Sequence, residues 1–209
     1  MMTNKATVND LLKINKMFLK FHQDRVTLRF KRLGKPRWGK LKEIKLSVFS
    51  DASYANLPDG ESSGMGYLVF LSTGYQPGID SPCSLLSWAS CKLKRKVTST
   101  LAAETLSLLA ALEQAIIICH QIEEVIDMKP KIEAFIDNND ACEAIHSLKQ
   151  EMKGRLRIDI GCIKEMVAKK EVESITWVPA SQQLADCLTK RGASTKALVR
   201  TLNRGCFSH

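Results

Sequence analysis

The longest periodic stretch of the chain is residues 99–120, STLAAETLSLLAALEQAIIICH, where Leu101, Leu108, Leu112, Ala115, Ile116 and Cys119 recur on one stripe with the helical period of about 3.6 residues. Ser99 or Thr100 is of the type that caps a helix N-terminus. One residue breaks the pattern: Glu104 falls inside the apolar stripe, toward one flank. A helix dipole tolerates a carboxylate in the first turn but gives no reason to bury one. Alone, Glu104 reads as a partly exposed residue at the edge of the stripe. If other carboxylates converge on it, a metal ion is the simplest way to neutralise the group.

The patterns on either side predict the remaining elements. Thr7 and Asp10 resemble a capping box, followed by a helix with Leu11, Ile14, Phe18 and Phe21 on one face. Residues 25–31, RVTLRFK, alternate strictly and predict a half-buried strand with a basic outer face. Residues 33–42 contain Gly34, Pro36 and Gly39 and read as a linker, which divides the chain into a leader, 1–42, and a main domain, 43–209. Three apolar runs then follow in series, residues 44–50, 64–71 and 85–90, separated by turn-rich segments, and predict an antiparallel meander.

After the long helix come a short strand at 132–136, a helix with Ala141, Ala144, Ile145 and Leu148 on its inner face, and another with Leu156, Ile160, Ile163 and Val167 in register. A strand at 172–178 and a last helix opening after Ser181 complete the order. Strands alternating with helices in the second half imply parallel pairing there, so the expected class is α/β, with a mixed sheet flanked by helices.

Asp51 and Asp137 directly follow predicted strands, and Asp186 sits on the last helix among Leu184, Cys187 and Leu188. With Glu104 they make four carboxylates that such a sheet could bring together. Standing alone, Asp186 would read as a surface i, i+4 partner of Lys190. Asp140 reads as a helix cap and Asp159 as a solvated helix residue.

Composition narrows the class. A chain of 209 residues with 44% apolar content suits one domain plus an appendage. Seven scattered cysteines with no CxxC pair, and four dispersed histidines, argue for reduced thiols and against zinc. The greasiest segment, residues 106–119, is interrupted by Glu113 and Gln114, and no basic-then-apolar leader opens the chain. These features predict a soluble intracellular protein, cytoplasmic or nuclear, without a membrane partner. The net charge of +9 lies wholly in residues 1–43, which hold twelve Lys or Arg against three acids. A basic leader on a neutral body suggests a polyanion partner, the plainer reading being a solvated tail.

The motifs SDAS (50–53), STLAAE (99–104), FIDNNDA (135–141) and WVPASQQLADCLTK (177–190) together resemble the ribonuclease H domain of copia-type retrotransposon Pol polyproteins. The likeness covers about residues 45–194, and the leader resembles the tail of the preceding reverse transcriptase, its thumb or connection. The resemblance implies a ribonuclease H-like fold with a five-stranded mixed sheet of order 3-2-1-4-5. It also implies catalytic and metal-binding roles for Asp51, Glu104, Asp137 and Asp186, in the family's order.

The implied chemistry is hydrolysis of the RNA strand of RNA/DNA hybrids with two magnesium ions, manganese being the alternative. In that arrangement Asp51 bridges the ions, Glu104 and Asp137 complete the leaving-group site, and Asp186 helps hold the ion that activates water. Four carboxylates without His or Cys suit magnesium. Asn138, Ser99 and Thr100 are expected minor-groove contacts, and the basic run Lys92, Lys94, Arg95 and Lys96 an expected backbone contact. A reverse transcriptase domain is a second expected partner.

One departure stands out: the family's cellular and retroviral members carry a histidine before the last aspartate, and the stretch PASQQ, residues 179–183, has none. Copia-type sequences commonly lack it too, which implies a slower or differently tuned enzyme. The main rival is a catalytically silent, nucleic-acid-binding relic of a retroelement. Integrases and transposases, whose fold is related, place their glutamate last, whereas Glu104 comes second here.

Overall fold

A computed structural model describes residues 7–23, 25–33, 44–57, 60–147, 154–190 and 192–207. The linker reading, the boundary at residue 42 and the inner-face position Leu148 fall mainly or wholly outside them, as does the side chain of Phe21.

Three antiparallel strands, β1 (Lys45–Ser53), β2 (Gly64–Ser72) and β3 (Ser81–Lys92), form the meander. Helix α2 (Thr100–Ile126) crosses back, and β4 (Lys131–Ile136) enters parallel to β1 on its free side. Helices α3 (Asn139–His146) and α4 (Arg155–Ala168) lead to β5 (Ser174–Trp177), parallel to β4. A 3-10 turn (Ala180–Gln182), the single-turn α5 (Asp186–Thr189), α6 (Lys196–Arg204) and the two-residue β6 (Cys206–Phe207) close the chain.

The sheet order is β5-β4-β1-β2-β3-β6. The five strands expected from sequence are therefore six: read from the opposite edge the order is 6-3-2-1-4-5, β6 being added beside β3. A two-residue strand has too few positions to show a period, so it left no pattern to read.

β1 is central and covered on both faces, which is why even its polar residues Ser47, Ser50, Asp51 and Ser53 are buried. On one face Leu46, Val48, Val69, Ile132 and Ala134 meet Leu108, Ala111, Leu112 and Ala115 of α2. The other face is aromatic: Phe49 stacks on Phe135 with centroids 5.1 Å apart, and Phe70, Tyr75 and Phe207 meet it edge-on or tilted. By length and composition α2 could cross a bilayer; half of its most apolar window is buried inside this fold. At the N-terminal end of β1, the buried Glu133 accepts hydrogen bonds from Lys45 Nζ (2.8 Å), Ser47 Oγ (3.0 Å) and the Tyr75 backbone N–H (2.8 Å), so this carboxylate is satisfied internally.

α1 (Val8–Gln23) carries the expected capping box: the Thr7 N–H donates to Asp10 Oδ2 at 2.9 Å and the Asp10 N–H to Thr7 Oγ1 at 3.3 Å. Its apolar face stays open, with Leu11 60%, Ile14 47% and Phe18 62% exposed. The strand expected at 25–31 does not form. That segment runs outside the sheet, where the Thr27 N–H bonds to Asn203 Oδ1 (2.8 Å) and the Arg29 N–H to the Leu202 carbonyl (3.1 Å), and Val26, Leu28 and Phe30 remain exposed. The β3 edge at Ser81 and Pro82 is already occupied by β6.

The helix expected after Ser181 is also broken. Gln183 is extended, and its side chain bonds to strand carbonyls instead of leaving the backbone to coil. Asp159, expected in solvent, is buried and paired with Arg95, and the cap of α3 is Asn138 rather than Asp140.

α5 lies on the sheet over Gly66, where an added Cβ would stand 2.7 Å from Leu188 Cβ and 2.9 Å from Thr189 Cγ2. Gly66→Ala is therefore expected to lift α5 and to cost about 2 kcal/mol, lowering the thermal midpoint by about 4–8 °C. A midpoint within 1–2 °C of wild type, on the roughly 2–4 °C per kcal/mol scale for this size, would show that α5 moves freely.

Candidate active site

Parallel pairing sets the geometry. Phe49 of β1 lies opposite Phe135 of β4, so Asp51 and Asp137, each two residues further on, come off neighbouring strands side by side. Alternation turns both toward the face that carries the two phenylalanines, where α5 brings Asp186. One carboxylate oxygen from each of Asp51, Asp137 and Asp186 lies within 4.8 Å of the other two.

Glu104 approaches the end of β1 on α2, where Ala103 packs on Ala52. It is 6% exposed, against the partly exposed position that the sequence alone suggests, and Ser99 caps its helix by accepting from the Ala102 N–H at 3.1 Å. The Ser107 hydroxyl, one turn on, donates to the Asp51 carbonyl at 2.8 Å, fixing α2 against β1. Glu104 is not among the three acids that share the 4.8 Å cluster, yet its Oε2 is buried with no hydrogen-bond partner among the described residues. An unpaired buried carboxylate oxygen is an acceptor that the protein leaves unsatisfied, and a cation is one group that satisfies it.

The electrostatics follow from burial. Desolvation pushes Glu104 up to about 9, the charges of Asp51 and Asp137 adding to it, against a hydrogen bond from the Ala52 backbone and the charge of Lys190. Burial also raises Asp51 to about 6, opposed by the Thr189 hydroxyl and Lys190 and reinforced by Asp137 and Asp186. Asp137 is raised by the same desolvation, partly offset by Lys190.

Sequence reasoning missed three residues that build this site. Lys190, by its spacing a surface partner of Asp186, does bond Asp186 through its ammonium, which also stands 3.5 Å from Asp51 Oδ1 and 4.0 Å from Asp137 Oδ2. Burial lowers its pKa, but the hydrogen bond to Asp186 and the three aspartate charges outweigh this and hold it above the usual lysine range. The Thr189 hydroxyl donates to Asp51 Oδ2. Gln183, 5% exposed, donates from Nε2 to the carbonyls of Ser50 (3.0 Å) and Phe135 (3.2 Å) and accepts from the Ala185 N–H (3.2 Å). It clamps the loop before Asp186 across the ends of β1 and β4. A signal was available: Thr189 and Lys190 lie three and four positions after Asp186, on its side of a helical turn.

The expected nucleic-acid contacts are placed unevenly. Ser99 and Asn138 are helix caps, Asn138 Oδ1 accepting from the Ala141 N–H at 2.8 Å, and Thr100 is exposed at the start of α2. Lys92, Lys94 and Lys96 are exposed; Arg95 pairs with Asp159 and Lys96 with Glu61.

Three aspartates from two strand ends and a helix, beside a buried glutamate, form a hard-oxygen donor set of the kind divalent cations take. No protein-family profile and no curated protein matches the sequence. Solved structures do match. The N-terminal RNase H domain of a Mycobacterium tuberculosis protein, solved as a fusion with maltose-binding protein, superimposes with TM-score 0.50 at 16% identity, covering 76% of this chain and 98% of that one. The foamy viral protease-reverse transcriptase, solved in complex with RNA/DNA hybrid, gives TM-score 0.51 at 13% identity over 90% of this chain and 26% of that one. The fold is that of ribonuclease H domains.

A folded-state pKa raised above the unfolded value means that the folded protein holds an extra proton between the two, so stability falls as pH rises through that window. For Glu104 the window runs from the ordinary glutamate value of 4.5 to about 9. In the presence of a chelator, wild-type stability should therefore fall between about pH 6 and 8 more steeply than that of Glu104→Gln, by about 1 kcal/mol per pH unit. Parallel slopes in urea unfolding at the two pH values would place the Glu104 charge in solvent.

Proposed function

We propose that this chain is a metal-dependent nuclease that hydrolyses the RNA strand of RNA/DNA hybrids, derived from the Pol polyprotein of a copia-type retrotransposon. The observation that carries the reading is the convergence of Asp51, Asp137 and Asp186 within 4.8 Å on the ribonuclease H fold, with Glu104 buried beside them. The sequence motifs around all four acids support it, as does a fold neighbour solved on an RNA/DNA hybrid.

Asp51, Glu104, Asp137 and Asp186 would hold two magnesium ions, which supply neutralisation of the phosphodiester charge and an acidified water as nucleophile. The chain's own residues do the rest. Gln183 fixes the height of the Asp186 loop over the strand ends, and Thr189 fixes the rotamer of Asp51 by its hydrogen bond. Lys190 offsets part of the negative charge of the three aspartates. Ser99, Thr100, Asn138, Lys92, Lys94, Arg95 and Lys96 are the proposed backbone and groove contacts, Arg95 and Lys96 only on leaving their present ion pairs. The leader, 1–42, is proposed as the remnant of a reverse transcriptase connection and the rest, 43–209, as the nuclease domain of an intracellular protein.

A second reading has an observation of its own: with the Lys190 ammonium already among the aspartates, the acids are partly neutralised without metal, as a non-cutting hybrid binder would need. Asp137→Asn separates the two. It keeps the shape and removes one charge, so RNA-strand cleavage with magnesium should fall at least about a hundredfold while hybrid binding holds or tightens. Cleavage by the variant at the parental rate removes Asp137 from the site, and absence of cleavage by wild type favours the binder.

A further inference from the structure

The basic charge in the sequence looks like a property of the leader, but folding gives it a second half. Beyond Asp186 the chain holds five Lys or Arg and no Asp or Glu. Three of them, Lys196, Arg200 and Arg204, recur at every fourth residue of the nine-residue α6 and are exposed along one side, in a stripe about 12 Å long. The opposite side is held down by Leu198 and Leu202 on the aromatic cluster and by the buried Thr201.

Residues 25–33 lie against this same helix. Besides the hydrogen bonds from Thr27 and Arg29, Lys31 Nζ donates to Cys206 Sγ at 3.0 Å, and Gly205, at φ +62°, passes under the segment where a Cβ would stand 2.8 Å from the Arg29 carbonyl oxygen. The segment brings Arg25, Arg29, Lys31 and Arg32, all exposed, and no acid. Segments some 176 positions apart thus build one surface with seven exposed cations, and among the described residues none of the seven is ion-paired with a carboxylate. Like charges gathered in this way repel, and a polyanion relieves the repulsion.

We propose that α6 and the segment at 25–33 form a phosphate track that carries a nucleic-acid duplex onward from the acid cluster. The track rests on the nucleic-acid reading of that cluster. Lys196, at the head of the stripe, comes six positions after Lys190, which stands among the aspartates, so the two lie within about 20 Å of each other. Midway along, Arg200 borders a cavity of about 140 Å³ with Ser181 and Gln182, side chains of the kind that donate to phosphate oxygens. An anionic membrane fits less well, because an interfacial helix turns its apolar face outward and α6 turns its face inward.

The test is binding of a duplex of about 20 base pairs, RNA/DNA hybrid or DNA, to the full chain in EDTA between about 50 and 200 mM salt. Lys196→Gln/Arg200→Gln/Arg204→Gln should weaken binding at the lower salt at least about tenfold and make the slope of log K against log salt shallower by about 2–3. Arg25→Gln/Arg29→Gln/Lys31→Gln should act in the same direction. Lys13→Gln/Lys16→Gln/Lys20→Gln on α1 removes as much charge elsewhere and should change the slope by less than about one. All substituted side chains are exposed, and an unchanged thermal transition confirms each fold.

Wild-type slopes in both track variants would overturn the track, and so would an equal loss in the α1 variant. Track-dependent binding to phosphatidylserine vesicles with none to duplex would assign the surface to membranes instead. Binding in EDTA needs no hydrolysis, so a chain that binds through the stripe and never cuts a hybrid with magnesium refutes the nuclease reading and leaves the track standing. A chain that cuts while the track variants keep the wild-type slope does the reverse.

Discussion

Like charges at the ends of two adjacent parallel strands are the constraint from which the rest of this structure follows. The pairing of β1 with β4 is set by apolar and aromatic contacts on both faces of the sheet, and it delivers Asp51 and Asp137 next to each other whether or not their charges welcome it. Burial on the central strand sharpens the repulsion. The fold answers with Lys190 and Thr189 from the one-turn α5, with Gln183 holding that turn in place and Gly66 letting it come close. Residues 183–190 thus both cover the aromatic face and aim counter-groups at the end of the sheet.

The two faces of the sheet divide the labour. α2 brings Glu104 and supplies the broad apolar contact that keeps β1 dry, while the aromatic face carries the loop and the turn of α5. This division explains why three acids share a tight cluster and the fourth lies just outside it. Glu133, at the far end, shows the contrast: it finds a lysine, a hydroxyl and a backbone N–H within the protein and needs nothing from solution.

What the sequence shows and hides follows the range of the interactions. The period of α2, the apolar runs of the meander and the capping box at Thr7 are local signals, and they form as read. The strand ends at Asp51 and Asp137 are legible because an aspartate after an apolar run is a local feature, although β1 continues through Asp51 to Ser53. Residues whose roles depend on distant partners were not legible. The alternation at 25–31 describes a strand only if the segment pairs with a sheet edge, and its backbone bonds to Leu202 and Asn203 of α6 instead. Asp159 looks solvated until Arg95 arrives from 64 residues away, and Gln183 looks like a polar loop residue until the carbonyls of two separate strands are in view.

The apolar length of α2 carries a consequence for how the chain is made. A helix of 27 residues that passes for a bilayer span is hazardous while its partner surface is missing. Here β1, β2 and β3 precede it, and they are joined to one another by short connections, so they pair through contacts of low sequence separation. β1 and β2, two of the three strands on which it packs, have therefore left the ribosome before the helix does. The order of synthesis presents α2 with a landing surface at the moment it coils, and only β4 has still to slide in beside β1.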